Sequence, residues 1–444
     1  MDDRFIERNV KIDPEVSSEA LSRLRNIRDL KRLISYNSEE STSRLVDIIM
    51  GGAIVLRASD VHFEPEVEEA RLRLRIDGVL QTVDSLPRKT YQQIVSRIKF
   101  LAGLKLNITK KAQDGRFGID FEKEGREIEI RTSSLPSSYG ETIVMRILDP
   151  VALLDIESLG LRPDLHRDIL KELKKPNGMI ILTGPTGSGK TTTLYAFLKS
   201  INSPEVKIVT IEDPIEYQLE GVSQTQVNPR QGYDFAKGLS AIVRQDPDVI
   251  LVGEIRDYET AHIALQAAMT GHLVFSTVHT NDAAGTIARL EALGEKSHNI
   301  APALNVAIAQ RLIRRVCPEC GELKKPTPSD FKEIKEGLAS LPPTVEVPPF
   351  NDKTKIYYAN PEGCHHCNFT GYRGRIGVFE AFFVDDQMEE MIQESPSIPA
   401  LRRKAIEKGM VPMYYDGLIR VLNQTSTLEE IHRVTTKVQA NEES

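Results

Sequence analysis

One short run of residues restricts the possible folds of this chain more than any other feature. The pattern G-x-x-x-x-G-K-[ST] is satisfied by Gly184-Pro-Thr-Gly-Ser-Gly-Lys-Thr191. An apolar run, Met179–Leu182, precedes this motif, and apolar residues at helical spacing follow it from Leu194 to Ile201. Glycines let backbone N–H groups curl around an anion, and the N-terminus of a helix adds positive potential. The sequence therefore predicts a strand, a phosphate-binding loop and a helix, in that order.

The residue types in this run assign a role to each member. We expect Lys190 to reach the β- and γ-phosphates of ATP and Thr191 to hold Mg²⁺. The alternative, a glycine-rich turn that holds no ligand, is disfavoured because a strand and a helix flank the run. The predicted nucleotide-binding residues are Gly184, Pro185, Thr186, Gly187, Ser188, Gly189, Lys190, Thr191 and Thr192.

Apolar runs around this loop predict the rest of its domain. Besides Met179–Leu182, short strands are predicted at Val206–Ile211, Val249–Val252 and Leu273–Val278, each separated from the next by a segment of helix length. Strands that alternate with helices form a parallel sheet, and its ligands bind beyond the carboxyl ends of the strands. After about residue 300 the pattern predicts helices, a proline-rich stretch from Pro326 to Pro349 and a helical C-terminus.

A carboxylate follows the predicted strand Val249–Val252. Gly253 stands where many nucleotide hydrolases carry an aspartate, so Glu254 is the acidic group at this strand end. We assign Glu254 to polarising the attacking water or to ordering Mg²⁺ through a water. The alternative is a surface carboxylate that merely ends the strand.

Two more strand ends carry polar side chains at the same predicted edge of the sheet. Glu212 and Asp213 end the second strand, where Pro214 prevents the ladder from continuing, and we expect Glu212 to support the reaction. His279 ends the last strand and could donate to a γ-phosphate. The alternatives are a simple turn at Asp213-Pro214 and capping of a helix, Ala283–Leu290, by His279, Thr280 and Asn281.

The N-terminal part of the chain has a different pattern. Residues 1–41 are polar and charged, with one helix-like stretch between Leu21 and Ile34, and we interpret them as an arm. Residues 42–150 combine helix signals with two β-hairpins, one of which turns at Asp77-Gly78. This combination predicts a separate α+β domain.

The composition is that of an ordinary globular protein. The chain has 444 residues, of which 27% are charged and 40% hydrophobic. Its net charge of −7 supplies no overall attraction to nucleic acid or anionic lipid, so no nucleic-acid partner is expected. A basic cluster is predicted to line a subunit interface or to be solvated: Arg97, Lys99, Lys105, Lys110, Lys111 and Arg116.

The N-terminus and the cysteines indicate where the protein works. Met1-Asp2-Asp3-Arg4 opens acidic, no apolar signal region follows, and no stretch approaches the roughly 18 apolar residues of a membrane span. We therefore expect a cytosolic protein. In a reducing compartment, paired cysteines favour a metal site over disulfides.

Two C-x-x-C pairs predict that metal site. Cys317-Pro-Glu-Cys320 and Cys364-His-His-Cys367 each space two thiolates as tetrahedral Zn²⁺ requires, and four thiolates leave no open position, so the ion is structural. The alternatives are substitution of His365 or His366 for a cysteine, the absence of metal, or a zinc ribbon that binds nucleic acid. Basic residues suited to that last role are Arg311, Arg314, Arg315, Lys324 and Lys325.

Four motifs together resemble one family, the assembly and secretion ATPases of bacterial type IV pili and type II secretion. Gly184–Thr193 is similar to its Walker A box, Ile211–Glu216 to its aspartate box, Val252–Arg256 to its Walker B box and Ser276–Asp282 to its histidine box. The glycine before Glu254 is normal in that family. The resemblance runs from about Leu45 to Leu422.

The resemblance implies a fold and further site residues. It implies an α/β ATPase domain of RecA type, an N-terminal α+β domain similar to a PAS fold, and a homo-hexameric ring with ATP between the two domains. Arginines of the N-terminal domain complete the site, and by motif position these are Arg131 and Arg146. Arg244, in Val243-Arg-Gln-Asp-Pro247, is a third and weaker candidate outside that domain. For Arg131 and Arg146 the alternative is an outward-facing charge on a hairpin strand.

The resemblance also implies a function. A member of this family hydrolyses ATP to move an inner-membrane platform protein that adds pilin or pseudopilin subunits, and it works at the cytoplasmic face of the inner membrane, reaching the membrane only through partners. The tetracysteine element, with its continuation Gly371–Glu380, distinguishes assembly and secretion motors from pilus-retraction motors. Pilus assembly, type II secretion and DNA uptake share these boxes. The alternatives are a retraction motor, a RecA-type nucleic-acid translocase or a nucleotide-gated scaffold.

Together these patterns predict an α/β protein with a RecA-like parallel-sheet domain, a PAS-like α+β domain and a zinc-stapled, mostly helical C-terminal region. Many relatives carry a further N-terminal domain, whereas residues 1–41 precede Thr42 in this sequence. The predicted catalytic residues are Glu254, Glu212, Lys190, His279, Arg131 and Arg146. The predicted divisions are an arm (1–41), the α+β domain (42–150), the ATPase core (151–310), the zinc element (311–375) and the C-terminal region (376–444).

Overall fold

The computed structural model describes residues 9–11, 24–37, 41–121, 126–149 and 154–437. The chain divides into two compact units. The first contains the described residues of 1–152 together with 317–320 and 360–373, and the second contains those of 153–316, 321–359 and 374–444.

The first unit is a seven-stranded sheet with helices packed against it. Its strands are β1 (Asn9–Lys11), β2 (Ala58–Pro65), β3 (Glu69–Ile76), β4 (Val79–Pro87), β5 (Gln113–Phe121), β6 (Arg126–Ser137) and β7 (Gly140–Leu148). Its helices are α1 (Ile27–Tyr36), α2 (Thr42–Val55) and α3 (Arg88–Leu101). The strand order is β1-β5-β6-β7-β2-β3-β4; β1 runs parallel to β5, and the other neighbours are antiparallel.

Alternating side chains explain why this sheet has one buried face. In β3, Leu72, Leu74 and Ile76 are buried, whereas the arginines between them lie on the other face. The turn from β3 to β4 consists of Asp77 and Gly78, both with positive φ, as a two-residue hairpin turn requires. The predicted α+β character of this region is confirmed.

Helix α1 belongs to the core of the first unit. Ile27, Leu30 and Ile34 lie on one face of the helix and pack with the apolar residues of α2, α3 and the sheet. Part of the segment interpreted as an arm, residues 1–41, therefore contributes to this core. Residues 1–8, 12–23 and 38–40 of that segment lie outside the described residues.

Lys99 departs from the expectation for the basic cluster. Its side chain is 1% exposed, and its Nζ donates to Glu141 Oε1 and to the carbonyl of Ile108, both at 2.7 Å. The prediction that Lys99 is solvated or lines an interface was wrong. Apolar neighbours one turn away in α3 carry Lys99 inwards, and the buried carboxylate neutralises its charge.

The second unit is built on a seven-stranded sheet of order β10-β9-β11-β12-β8-β13-β16. Its strands, together with a separate pair β14 and β15, are β8 (Gly178–Thr183), β9 (Ile208–Glu212), β10 (Ser223–Gln226), β11 (Val249–Val252), β12 (Leu273–Val278), β13 (Leu304–Val316), β14 (Glu322–Lys324), β15 (Ile356–Tyr358) and β16 (Tyr372–Phe383). From β10 to β13, neighbouring strands run parallel.

Helices surround this sheet. They are α4 (Pro163–Glu172), α5 (Lys190–Ile201), α6 (Phe235–Val243), α7 (Tyr258–Met269), α8 (Gly285–Ala292), α9 (Ser297–Ala303), α10 (Pro328–Ala339), α11 (Asp386–Gln393), α12 (Ile398–Glu407), α13 (Met413–Leu422) and α14 (Leu428–Val434). Strands β8, β11 and β12 are buried along their whole length, which is typical of parallel strands covered on both faces. Among the described residues, no helix is both long and apolar enough to span a bilayer.

Two long strands replace part of the helical region expected after residue 300. Strand β13 spans Leu304–Val316 and pairs with β8, and β16 lies beside it at the sheet edge. The alanines, leucines and arginines of β13 are good helix formers, so local propensity is misleading here. Pairing with β8 overrides that propensity; the helix α10 lies between β13 and β16, and α11 to α14 follow β16 as the expected helical C-terminus.

The structure distributes residues 311–375 over both units. The cysteine-bearing segments, 317–320 and 360–373, cluster with the first unit, whereas 321–359 clusters with the second. Each cysteine pair lies on a short connection next to a long strand, β13 or β16.

Candidate functional site

The loop 184–189 connects β8 to α5, as the motif predicts. Gly184 has a φ of +145°, and a Cβ there would lie 2.5 Å from the carbonyl oxygen of Gln310. Gly189 has a φ of +91°, and a Cβ there would lie 2.9 Å from Gln310 Nε2. Both positions therefore require glycine, because the loop curls tightly against β13.

The donors of this loop suit an anion. Lys190 Nζ donates to the carbonyls of Gly184, at 2.8 Å, and Pro185, at 3.3 Å. Burial lowers the pKa of Lys190, and the charge of Glu254 opposes that effect. The buried hydroxyl of Ser188 has no hydrogen-bond partner among the described residues. A phosphate group fits this arrangement, since it would accept from both side chains.

Glu254 lies where the sequence predicts, directly after β11 and Gly253. Its carboxylate forms an ion pair with Arg256, and its Oε2 lies 3.5 Å from His279 Nε2. Arg256 also lies 3.8 Å from Asp213. Residues that follow three different strands thus meet at one edge of the sheet, and Glu254 is close enough to influence the pKa of Lys190.

The structure explains why position 253 is glycine. A Cβ there would lie 3.3 Å from Glu212 Cα and from the carbonyl oxygen of Ile211, both in the neighbouring strand β9. The Gly253 N–H donates to that Ile211 carbonyl at 2.8 Å, and Thr277 Oγ1 donates to the Gly253 carbonyl at 2.9 Å. The strand end is clamped between β9 and β12, so the acidic side chain comes one residue later.

The residues around His279 connect β12 to the phosphate loop. Thr183, the last residue of β8, accepts a hydrogen bond from the Thr280 N–H at 2.8 Å, and the two hydroxyls lie 2.6 Å apart. Asp282, rather than His279 or Thr280, accepts the Gly285 N–H at the start of α8, at 2.8 Å. The imidazole of His279 therefore does not cap α8.

Glu212 is the most deeply enclosed of the predicted catalytic carboxylates. It is 4% exposed and accepts hydrogen bonds from Tyr195, from Thr210 at 2.6 Å and from Gln224 at 3.2 Å. Burial raises the pKa of Glu212, and the three donors act in the opposite direction by stabilising the carboxylate. Sequence reasoning found Glu212 but missed these donors. The sequence signal that could have indicated a donor is Tyr195, a residue with a polar hydroxyl among the apolar residues on the buried face of α5.

This network leads to a prediction about pH dependence. In Tyr195→Phe the carboxylate loses one donor, so the pKa of Glu212 rises further above its usual range. If ionised Glu212 supports turnover, the acidic limb of the kcat/KM profile for ATP moves to higher pH, with a loss of up to about tenfold at the acid end.

The control for this measurement is Tyr233→Phe. It removes a hydroxyl that lies 3.1 Å from Thr225 Oγ1, and none of its hydrogen bonds involves Glu212. We expect its profile to match that of the unmodified chain. A profile of Tyr195→Phe that superimposes on the unmodified one would show that ionisation of Glu212 does not limit the reaction.

The four cysteines form a compact cluster. Sγ atoms lie 3.8 Å apart in the pairs Cys317–Cys364, Cys320–Cys367 and Cys364–Cys367, and all four lie within 4.8 Å of one another. Four sulfurs around tetrahedral zinc, with Zn–S of about 2.3 Å, would lie about 3.8 Å apart. The cluster therefore has the donor set and spacing of a structural zinc site.

Backbone N–H groups favour the thiolate form of Cys367, whereas burial raises the pKa values of Cys317 and Cys320. Burial tends to raise the pKa of Cys367, but N–H groups of Cys364, Thr370 and Gly371 outweigh it and lower the pKa to about 7. The Cys364 and Gly371 N–H groups lie 3.1 and 3.3 Å from Cys367 Sγ. The predicted alternative ligands, His365 and His366, are exposed, and their rings contact each other in a tilted arrangement with centroids 4.1 Å apart.

The loop after Cys367 contacts helix α1 within the first unit. Asn368 and Phe369 both have positive φ. Asn368 Oδ1 accepts from the Ile27 N–H at 2.9 Å, and the Arg28 guanidinium stacks 3.6 Å above the Phe369 ring. The cysteine cluster thus shapes a loop that caps the first turn of α1.

The two arginines implied by the resemblance lie in the first unit. Arg131 in β6 and Arg146 in β7 are directly opposite each other. Arg131 Nε lies 3.3 Å from Glu129, and Arg146 Nε lies 3.1 Å from Asp60. Arg244, the weaker candidate, ends α6 and is exposed in the second unit.

A family model described as "Type II/IV secretion system protein" matches residues 35–433 of this chain. The chain belongs to that family. The predicted resemblance is therefore confirmed, and so is the α/β fold class with its parallel-sheet domain.

Curated relatives in this family are named for two related machines. The type II secretion system ATPase E of Vibrio cholerae is 43% identical over 408 residues, which cover 91% of this chain and 77% of the relative. The type IV pilus assembly ATPase PilB of Acinetobacter baylyi is 41% identical over 395 residues, which cover 89% of this chain and 66% of the relative. Relatives of both kinds carry the name ATPase.

Solved structures show the same fold. The pilus retraction motor PilT with bound ADP is 25% identical, with a TM-score of 0.57 and coverage of 88% of this chain and 96% of that chain. The Legionella pneumophila ATPase DotB is 20% identical, with a TM-score of 0.61 and coverage of 87% and 94%; it supports the fold alone.

Proposed function

We propose that this chain is the Mg²⁺-dependent ATPase of a motor that assembles a type IV pilus or a type II secretion pseudopilus. The observation that carries the proposal is geometric: Glu254, which follows β11, lies 3.5 Å from His279, which follows β12, and β12 pairs in parallel with β8, whose carboxyl end leads into the loop before Lys190. The names of the relatives support a secretion or pilus-assembly role.

The residues at this edge of the sheet have different roles in ATP hydrolysis. Loop N–H groups and Lys190 bind the phosphates and stabilise the negative charge that develops on the leaving group as the bond to the γ-phosphorus breaks. Glu254 accepts a hydrogen bond from the attacking water and orients it toward the γ-phosphorus. His279 and Arg256 hold that carboxylate in place, and Glu212 supports the edge from β9.

Oxygen donors for Mg²⁺ are available at the same place. Thr191 lies in the first turn of α5, and Glu254 follows β11 at the same edge of the sheet, so both offer the hard oxygen atoms that Mg²⁺ prefers, Glu254 through a water. The ion supplies charge neutralisation of the β- and γ-phosphates.

The remaining parts of the proposal follow from the family. Arg131 and Arg146 supply positive charge to the transferred phosphoryl group when the domains of a homo-hexameric ring close. Zn²⁺ binds the four cysteines as a structural ion. The motor works in the cytoplasm at the inner face of the inner membrane, where its movement acts on an integral platform protein, and it binds no nucleic acid.

The first test is nucleotide binding by Lys190→Ala. Loss of a charged hydrogen bond to phosphate should weaken ATP binding by roughly 10- to 100-fold, measured by calorimetry. The matched control is Lys199→Ala, which removes a lysine from the same helix, paired with Asp155 on the surface, and should bind ATP normally. Equal affinity of the two variants would contradict the proposed site.

The second test separates the proposed motor from a nucleic-acid translocase. We expect the rate of phosphate release from ATP to be the same with and without duplex DNA. Stimulation by DNA would favour the translocase instead.

A further inference from the structure

A row of charged residues crosses the sheet of the first unit. Arg116 in β5, Arg131 in β6, Arg146 in β7, Asp60 in β2 and Arg75 in β3 are successive partners across five neighbouring strands. The residues adjacent to them along the strands, such as Ile130 and Met145, are buried, so the row lies on the face opposite the core. Four guanidinium groups and one carboxylate share this row.

Asp60 is the centre of this row. It is 5% exposed, and both oxygens are bound: Oδ1 accepts from Arg146 Nε at 3.1 Å, and Oδ2 lies 3.3 Å from Arg75 Nε and 2.8 Å from Ser59 Oγ. A carboxylate this deeply placed holds its partners firmly, because an unpaired buried charge is unfavourable. Arg131 and Arg146 are like charges directly opposite each other, which is also unfavourable unless acceptors hold them.

The guanidinium groups of Arg75 and Arg146 both bind Asp60, but they differ in the contacts that their other N–H groups make. Arg75 also donates from Nη1 to the Gly78 carbonyl at 3.2 Å, so it is tied at both ends of its planar group. Arg146 is held through Nε, and its side chain is 53% exposed. In the described part of the chain, its hydrogen bond and its ion pair are both to Asp60. The edge formed by Nη1 and Nη2, which binds two phosphate oxygens at once, is left to solvent.

We propose that Asp60 is a positioning residue for the reaction: it holds the Nε of Arg146 so that the Nη edge of that guanidinium is presented to the phosphates of ATP. The proposal rests on the proposed function, in which Arg146 stabilises the transferred phosphoryl group. Arg75 completes the support by binding the second oxygen of Asp60. Asp60 itself does not touch the nucleotide.

The proposal predicts which kinetic constant changes. An oriented guanidinium that acts on the developing charge lowers the barrier of the chemical step, so its misplacement reduces kcat more than it raises KM. Asp60→Asn keeps an oxygen acceptor but removes the charge that fixes Nε. We expect kcat for ATP to fall at least about tenfold, because a small misplacement of a catalytic group is costly. ADP affinity should stay unchanged.

The experiment uses the full chain with four variants and measures kcat and KM for ATP, ADP affinity and thermal unfolding. Asp60→Asn and Arg146→Ala are combined in a double variant, which should be no slower than Arg146→Ala alone. The matched control is Glu64→Gln: Glu64 lies on the same strand and face as Asp60 but pairs with Arg73, so its loss should leave kcat unchanged.

A further variant keeps Asp60 intact. Arg146→Lys preserves the positive charge and the ion pair with Asp60. A lysine ammonium lacks the planar guanidinium, so while it binds Asp60 it has no separate pair of N–H donors for the phosphate. We expect it to be as slow as Arg146→Ala. Full activity of Arg146→Lys would overturn the proposal even if the Asp60 variants failed to fold.

The remaining outcomes separate this proposal from the proposed function. If the unmodified chain hydrolyses ATP, Arg146→Ala does not, and Asp60→Asn remains as fast as the unmodified chain, the positioning role alone is wrong. The same holds if the effects of Asp60→Asn and Arg146→Ala multiply in the double variant. If Arg146→Ala is fully active, both the positioning role and the proposed role of Arg146 are wrong. If the unmodified chain does not hydrolyse ATP, the proposed function itself fails.

Discussion

Glu254→Gln should bind ATP with unchanged affinity and hydrolyse it at least about 10²-fold more slowly than the unmodified chain. The amide keeps the size of the side chain but does not accept a proton or orient the attacking water in the same way. Lys190 and the loop N–H groups, which we propose as the phosphate-binding groups, are unaltered. The measurement combines calorimetric ATP binding with phosphate release under saturating nucleotide.

The neighbourhood of Glu254 makes this result informative. The carboxylate is held by Arg256 and His279, so loss of its charge removes both interactions without opening a cavity. The control is Glu259→Gln, an exposed glutamate in the first turn of α7, whose activity should equal that of the unmodified chain. Phosphate release by Glu254→Gln at the unmodified rate would show that another group activates the water.

Cys320→Ser should abolish stoichiometric zinc binding and unfold the region around the cysteine cluster. Zinc binding in small structural sites is worth roughly 10–16 kcal/mol, which is comparable to the stability of a whole domain. A serine hydroxyl is a poor fourth ligand, and the remaining thiolates repel one another without the ion. Metal content by mass spectrometry should fall from one zinc per chain to a small fraction.

The structure also predicts which parts of the first unit become less stable when the metal is lost. Asn368 caps the Ile27 N–H and Phe369 stacks under Arg28, so amide hydrogen exchange should speed up in the first turn of α1 as well as in the cysteine loops. The control is His366→Ala, which should retain zinc because its imidazole lies outside the cluster of sulfurs. Full zinc content and unchanged exchange in Cys320→Ser would contradict the metal assignment.

The phosphate loop was predictable because its chemistry is local. Gly184, Gly189 and Lys190 lie within one strand-loop-helix unit, and their conformations depend on residue types only a few positions apart. The position of Glu254 followed from a rule about parallel sheets, in which the carboxyl ends of strands gather at one edge. Its ion pair with Arg256 also joins near neighbours in sequence.

The burial of Glu212 and Lys99 was not predictable in the same way. The donors to Glu212 come from α5, β9 and β10, and the partner of Lys99, which lies on α3, is Glu141 on β7. Such pairs appear only when distant segments meet. Strand β13 is a similar case, because its helix-forming residues take the extended form through pairing with β8.

The sequence by itself determined the family, the glycine-rich loop before Lys190, the acidic strand ends and the two C-x-x-C pairs, since each of these is specified by residue types at short, regular spacings. Only the tertiary structure decided that the cysteine loop caps α1 and that Asp60 joins Arg75 to Arg146. Those contacts depend on the pairing of strands and on segments hundreds of residues apart in the chain. No short-range pattern encodes them, because the free energy that selects them comes from burying surfaces that local sequence does not bring together.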